Sequence, residues 1–448
     1  MDDPRTPYLR WLPELEELVA IPSVGADPAH AADMERALAW LEPRFTDFGA
    51  TTRIERSPGE QVLLADLPAQ VRPETAPTLL IYGHFDVQPA GDLSLWDSPP
   101  FNAEIRGEWL YGRGVIDDKG HLVMYLEAVR AVLARQALTV NIRFLIDGAE
   151  ERAGTLALDC MRRMTPRPDG CLIFDGPMIA RGRPAFYVAT RGTLAYHLNI
   201  RTGARDLHSG QFGGAALNAV EALITTLGGL RRGPDGRLPE PLRAGALPLS
   251  ASVRAALPLM PEPLSYLAEQ GTYPADAHVG ADMYERLWAE PSFEINGIAA
   301  GQPALRHMAI PCEAQAAVSL RLAPGQEVET IAATAEAMLR AAVPAGAELT
   351  LTRRGASDPA VLPQSGPLLD AASDAFADQF GSAPLLIQAG GSLPLLTLLG
   401  DMSVVTVMTG LDLPEGNIHA PNERLLLEHL PAGTAILEAL LSDKRFTR

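Results

Sequence analysis

The stretch Thr78-Leu79-Leu80-Ile81-Tyr82, followed at once by Gly83-His84-Phe85-Asp86, decides how the rest of the chain reads. A short apolar run of this kind is a strand buried on both faces. It exits into a glycine, an imidazole and a carboxylate. Working outward, the pattern recurs. Asn141–Asp147 reads as a strand and is followed by Gly148-Ala149-Glu150-Glu151; Cys171-Leu-Ile-Phe174 ends in Asp175-Gly176; Val404-Val-Thr-Val-Met408 leads to Gly416-Asn-Ile-His419-Ala-Pro-Asn422. Helical apolar spacing covers residues 8–20, 29–48, 120–135, a segment near Leu156, and 367–380. Strands alternating with helices predict an α/β domain with a largely parallel sheet.

The middle of the chain reads differently. After Thr190-Arg-Gly-Thr193, residues 194–201 alternate like a half-exposed strand, a helix is expected at 215–228, 313–322 alternate again, and 327–342 form an amphipathic helix. Residues 229–275 are rich in Gly, Pro and Arg and read as loops or an insertion. The expectation is one α/β domain, residues 1–191 and 359–448, interrupted by a smaller α+β domain at 192–358.

Composition bounds the function. With 448 residues, 47% of them hydrophobic, the chain is long enough for two or three domains. The net charge of −18 argues against nucleic acid or an anionic membrane as partner, without excluding a local basic pocket. Cys160, Cys171 and Cys312 cannot build a disulfide framework, so a cytoplasmic location is expected. The N-terminus carries acids early and does not read as a signal peptide. No run is long and apolar enough to span a bilayer.

Ligands of open α/β sheets bind beyond the carboxyl ends of the strands. His84, Asp86, Glu150, Glu151, Asp175 and His419 all fall there, and Gly112-Arg-Gly-Val-Ile-Asp117-Asp118-Lys-Gly120 precedes a helix nearby. Each has an ordinary reading alone: Asp117 or Asp118 as a helix N-cap, the Glu pair at a helix start, Asp175-Gly176 as a turn. Together, so many carboxylates in one cleft would repel unless cations neutralise them. Mixed His and carboxylate ligands suit Zn²⁺, Mn²⁺ or Co²⁺. Two such ions need one bridging carboxylate, and a further carboxylate held off the metals can move the proton of an attacking water.

Four motifs carry a resemblance that covers nearly the full length: Tyr82-Gly-His-Phe-Asp-Val-Gln-Pro89, Leu95-Trp-Asp-Ser-Pro-Pro-Phe101, Leu110-Tyr-Gly-Arg-Gly114 with Asp117-Asp-Lys-Gly120, and Asp206-Leu-His-Ser-Gly-Gln-Phe-Gly-Gly214. The chain resembles the M20 metallopeptidases, in their carnosinase-like and bacterial dipeptidase branch. The resemblance implies a two-metal phosphorylase/hydrolase-like catalytic domain, a mostly parallel sheet between helices, with an inserted lid that also forms a homodimer. It implies that His84 and Asp175 bind one metal, that Glu151 and His419 bind the other, and that Asp117 bridges them. Glu150 becomes the general base and then acid, and Asp86 orients His84 from behind. A cis peptide is implied at Asp117–Asp118. His208 would stabilise the oxyanion in the partner subunit's site, Arg321 would pair with the substrate's carboxylate, and Gly390-Gly391-Ser392 would offer backbone N–H groups to a carboxylate.

There are departures. The Glu pair is followed by Arg152-Ala153 before Gly154-Thr155, one residue more than in relatives, and Gln388-Ala389 stands where relatives have Arg-Glu. The expected activity is cleavage of the amide bond of dipeptides or short peptides. Loss of the charged pair leaves an N-acyl or N-carbamoyl amino-acid amidohydrolase as the alternative. A catalytically silent binding protein on the same fold is the reading from another class, and the intact Glu150 and ligand set oppose it.

Overall fold

The computed structural model describes residues 5–301, 308–391 and 393–445. The chain divides into two units, one running up to Val188 and taking in Leu362–Leu386 and everything from Leu398, the other formed by Ala189–Val361 and Ile387–Thr397.

In the first unit, Thr78–His84 is buried along its whole length, as a central strand must be. It lies between Asn141–Asp147 and Gly170–Phe174, parallel to both, and Val405–Thr409 continues the parallel set. The other edge is an antiparallel hairpin of Thr51–Ser57 and Glu60–Leu67. The sequence reading left this hairpin out: Thr51–Ser57 is an edge strand rich in polar residues and lacks a buried face. Parallel register sends His84, Asp147 and the residues after Phe174 and Thr409 out of the same edge of the sheet.

Helix Lys119–Arg135 is buried on nearly every side over its first three turns, which is why its apolar residues show little sidedness. Helices Leu12–Val19, Pro367–Phe380 and His429–Ser442 join it in one hydrophobic core. Lys119 is accommodated there because its ammonium donates to the carbonyls of Leu18 at 3.0 Å and Ile21 at 2.7 Å.

The second unit contains an antiparallel sheet in the order Ser292–Ala300, Glu313–Leu322, Gly192–Arg201, Glu348–Ser357. Alternate residues of Gly192–Arg201 are buried under helices Ala219–Gly228 and Val328–Ala342. Two expectations are corrected here. The stretch at 229–275 is not simply loop: it carries the short helices Glu240–Arg243, Ala251–Ala256 and Pro263–Glu269, followed by Val279–Trp288. Ser250 and Glu262 cap two of them at the N-terminus, and Pro263 starts one, so these polar and proline residues begin helices as well as break them. The segment after 359 does not all return to the first unit. Residues 387–397 belong to the second, where Arg191 donates its backbone N–H to the carbonyl of Ala389 at 3.2 Å.

No helix among the described residues is long and apolar enough to cross a membrane.

Phe174 ends its strand fully buried, with ring centroids 5.7 Å from His121, 5.7 Å from Tyr125 and 5.9 Å from Phe376. Phe174→Ala leaves a cavity directly beneath the strand exits and is expected to cost about 3–5 kcal/mol. Chemical denaturation followed by circular dichroism checks this through a lowered midpoint.

Candidate metal centre

Gly83 puts His84 where it is. A Cβ on Gly83 would come within 2.7 Å of Asp118 Oδ2, so only hydrogen fits. The His84 ring is fully buried, and its Nδ1 lies 3.0 Å from the backbone carbonyl of Asp86. A carbonyl only accepts, so Nδ1 carries a proton, and Nε2 is the ring atom left to reach a metal. That Nε2 is buried and makes no hydrogen bond, yet it sits 2.9 Å from Asp117 Oδ1. A nitrogen and a carboxylate oxygen at this distance can share a proton or ligate one cation together.

The other oxygen of Asp117 lies 2.9 Å from His419 Nε2, which is itself 3.0 Å from Glu151 Oε2. Among the described residues, two groups can therefore each hold a metal ion: His84, Asp117 and Asp175, and Asp117, Glu151 and His419. Asp117 is common to both. The donor set is imidazole and carboxylate throughout, which fits divalent cations of the zinc and manganese type. Glu150 belongs to neither group. The residues present thus fit a dinuclear centre.

Supporting contacts fix each ligand. Asp86 lies behind His84, its Oδ1 3.6 Å from Nδ1, and both carboxylate oxygens also accept backbone N–H groups, from Glu150 at 3.2 Å and Glu151 at 3.2 Å. Asp86 thereby holds His84 with its carbonyl and the Glu pair with its side chain. The Asp117–Asp118 peptide is cis. Asp118 precedes helix Lys119–Arg135 but does not cap it; its carboxylate takes the N–H of His84 at 3.0 Å and Nδ1 of His121 at 2.7 Å. His121 Nε2 accepts from the N–H of Leu411 at 3.2 Å, which assigns its proton to Nδ1. His419 adopts left-handed backbone, φ +58°, between Asn417 and Asn422 in the same region, residue types that tolerate it. After the Glu pair a left-handed Ala153 (φ +55°) sits inside a turn closed from Gly154 N–H to the Ala149 carbonyl at 2.7 Å.

Electrostatics shows the strain of assembling these groups without cations. Burial pushes Glu150 up to about 9, opposed by His84 and reinforced by Asp175 and Glu151. Burial likewise pushes Asp175 up to about 7. Contact with Asp117, then Glu151, holds His419 up to about 10. Burial disfavours the Asp117 carboxylate, but the imidazoles of His419 and His84 hold its pKa below the usual range. Protons here occupy the role that metal charge fills.

The sequence reading missed Glu423 and Gln88. Glu423 is fully buried, and its carboxylate collects Arg113 Nη1 at 2.6 Å and the N–H groups of Gly114 at 2.9 Å, Ile116 at 3.3 Å and Asp117 at 3.4 Å. It shapes the loop that ends in the shared aspartate. Gln88 Nε2 donates to Glu151 Oε2 at 2.9 Å. The available signal was Asn422-Glu423 directly after His419-Ala-Pro, and Val87-Gln88-Pro89 after Asp86.

The remaining expected residues lie in the second unit. His208 is exposed, with Nδ1 accepting from Gly210 N–H at 3.0 Å. Arg321 donates to Thr193 Oγ1 at 2.7 Å. The carbonyl of Gly390 accepts from Arg191 Nε at 3.2 Å, Gly391 is exposed, and Ser392 lies outside the described residues.

A fold with paired metal triads sharing one aspartate defines a class, that of dinuclear metallohydrolases. Residues 80–443 match the peptidase family M20/M25/M40, and the chain belongs to that family. It is 27% identical over 92% of its length to a cysteinylglycine-S-conjugate dipeptidase of Corynebacterium striatum, covering 91% of that protein. It is 29% identical over 90% of its length to a succinyl-diaminopimelate desuccinylase of Methylorubrum populi, covering 92% of it. The crystal structure of human carnosine dipeptidase 1 superposes with a TM-score of 0.73 at 25% identity, covering 96% of this chain and 95% of that one. The protein is thus an M20-type dinuclear metallopeptidase, a metal-dependent hydrolase of peptide or amide substrates.

Two outcomes follow from this geometry. Adding Mn²⁺ or Zn²⁺ to stripped protein should raise Tm, and more so as pH rises from 6 towards 8, because the ligands must shed protons to bind. Asp117→Asn should abolish that rise, as differential scanning fluorimetry can record. Glu423→Gln should weaken metal affinity by about 10–100-fold, the usual cost of losing a group that positions a ligand; calorimetric titration with Mn²⁺ measures it.

Proposed function

We propose that the protein is a dipeptidase, cleaving the single amide bond of dipeptides or short peptides with a Glu150-assisted water. The observation that carries this reading is the position of Glu150: adjacent to a ligand of one triad, outside both triads, and held by its backbone on Asp86. Two divalent cations, Zn or Mn with Co as a further fit, would polarise the scissile carbonyl and lower the pKa of the attacking water. His84, Asp117, Asp175, Glu151 and His419 hold them. Glu150 takes the proton of the water and passes it to the departing amine. Asp86 keeps Glu150 aimed by accepting its backbone N–H. In this reading Arg321 pairs with the substrate's carboxylate, helped by backbone N–H groups at Gly390-Gly391-Ser392. His208 stabilises the oxyanion across a homodimer formed by the second unit, which serves as lid. The enzyme is placed in the cytoplasm, in keeping with three free cysteines. Support for a peptide substrate comes from the dipeptidase relatives.

A second reading, hydrolysis of N-acyl or N-carbamoyl amino acids, is favoured by the uncharged Gln388-Ala389 and by the likeness to a desuccinylase. The two separate on the substrate's amine. A panel of dipeptides with free and acylated amino ends, run with several metals, should show turnover of free-amine substrates; cleavage of the acylated ones alone would establish the second reading. Glu150→Gln should lower kcat by about 10²–10⁴-fold while metal content stays at the wild-type level. Wild-type turnover in this variant would remove Glu150 from the mechanism.

A further inference from the structure

The hairpin that the sequence reading left out ends against the turn that carries Glu150 and Glu151. Ser57 pairs with Glu60 across Pro58-Gly59, and Val62 pairs with Asp147, the last residue of the strand that leads into Gly148. The tip of the hairpin therefore lies beside the turn, and it grips the turn at three places. The carbonyl of Gln61 accepts from Gly148 N–H at 2.9 Å, ahead of the Glu pair. The carbonyl of Gly59 accepts from Arg152 Nη1 at 3.2 Å, directly after the pair. Further on, one carboxylate oxygen of Glu60 accepts two backbone N–H groups, from Thr155 at 2.9 Å and from Leu156 at 2.7 Å.

Helix Leu156–Arg163 starts at that last contact. Thr155 stands at its N-cap position, but its side chain makes no capping bond. The first N–H groups of a helix need acceptors, and a carboxylate suits them both as acceptor and as negative charge. Glu60 supplies one from a strand 95 positions away. The segment from Gly148 to Leu156 is thus anchored at its beginning and its end on two consecutive residues, Gln61 and Glu60, which fixes the span of the arc between them. Behind the turn lies a cavity of about 220 Å³, lined in part by Gly25, Gly59, Glu60, Gln61 and Arg152. With open space on that side, hydrogen bonds more than packed side chains set where the turn sits. Of the bonds from the hairpin, the 2.7 Å bond to Glu60 is the shortest, and both bonds to Glu60 are charge-assisted.

We propose that Glu60 is a positioning residue for the metal centre. By fixing the far end of this turn it aims the Glu151 carboxylate towards Asp117 and His419 of its triad, and the Glu150 carboxylate towards the attacking water. The part played through Glu150 rests on the hydrolase reading above; the part played through Glu151 rests only on the geometry of the triad.

The test compares variants of the full-length chain, stripped of metal and dialysed free of chelator, in calorimetric titration with Mn²⁺. Glu60→Ala should weaken Mn²⁺ binding about tenfold, the scale on which groups behind a ligand act. Glu60→Gln keeps an accepting oxygen at the same reach and should stay within about twofold of wild type. Met161→Ala is the control: Met161 is fully buried in the same helix, so its truncation lowers Tm, yet Mn²⁺ affinity should hold. Where Glu60→Ala does not fold, Glu60→Asp takes its place; it keeps the charge, draws the oxygen back by one methylene, and should lose the same affinity. Wild-type affinity in Glu60→Ala overturns the proposal. So does an equal loss in Met161→Ala, which would reduce Glu60 to a helix cap, or a Glu60→Gln variant no better than Glu60→Ala. On a substrate that the wild-type enzyme cleaves, at saturating Mn²⁺, Glu60→Ala should lower kcat about tenfold with KM unchanged. A wild-type kcat there overturns the part assigned through Glu150. Should the Mn²⁺ contrasts appear while the wild type cleaves neither dipeptides nor acylated amino acids, Glu60 stands as a positioning residue and the functional reading falls.

Discussion

One carboxylate, that of Asp117, has an oxygen within 2.9 Å of each of two imidazole nitrogens, and the first unit is arranged to hold it there. A group shared by two ligand sets cannot be adjusted for one without disturbing the other. Its position is therefore fixed from both sides. Ahead of it, the buried Glu423 gathers the loop from Arg113 to Asp117; behind it, Asp118 is anchored on His121 and on the N–H of His84. The same Asp118 contact ties the loop to the central strand, so the bridging residue and the most deeply buried ligand move as one piece. Sites supported in this way by rigid elements keep their geometry when loops further out change.

The electrostatic cost of this arrangement explains why so much of the surrounding chain is polar and buried. Carboxylates crowded without water or counter-charge are driven to take up protons, and Glu150 and Asp175 are both pushed upward by burial. Divalent cations reverse that pressure on the ligands. Glu150 lies outside both triads, which leaves it free of the ligand role. The acidic balance of the whole chain, −18, is in this light a partial description: its consequence depends on which acids converge.

Much of the first unit was legible because parallel strands announce themselves as short apolar runs, and because chemistry at their exits sits in the same few residues. His84, Asp175 and the Glu pair were visible for that reason. What was not legible depends on contacts distant in sequence. Glu423 meets Arg113 across 310 positions, and its place just after His419-Ala-Pro gave a signal of proximity to the site but not of that partner. The carboxylate of Asp86 was given His84 alone, whereas the fold adds the backbone N–H groups of Glu150 and Glu151, which no local pattern announces. The hairpin at Thr51–Leu67 lacks a buried face, and the helices Glu240–Arg243, Ala251–Ala256 and Pro263–Glu269 are too short to show a helical period. Residues 387–397 were assigned by order along the chain, whereas a backbone bond from Arg191 places them in the second unit.

The central claim is that Asp117 joins two cations into one centre. Anomalous X-ray diffraction from crystals grown with Mn²⁺ tests it most directly. The account predicts two anomalous peaks about 3.5–4 Å apart, one beside His84 and Asp175 and one beside Glu151 and His419, with Asp117 between them. A single peak, or two peaks of which only one touches Asp117, would contradict it.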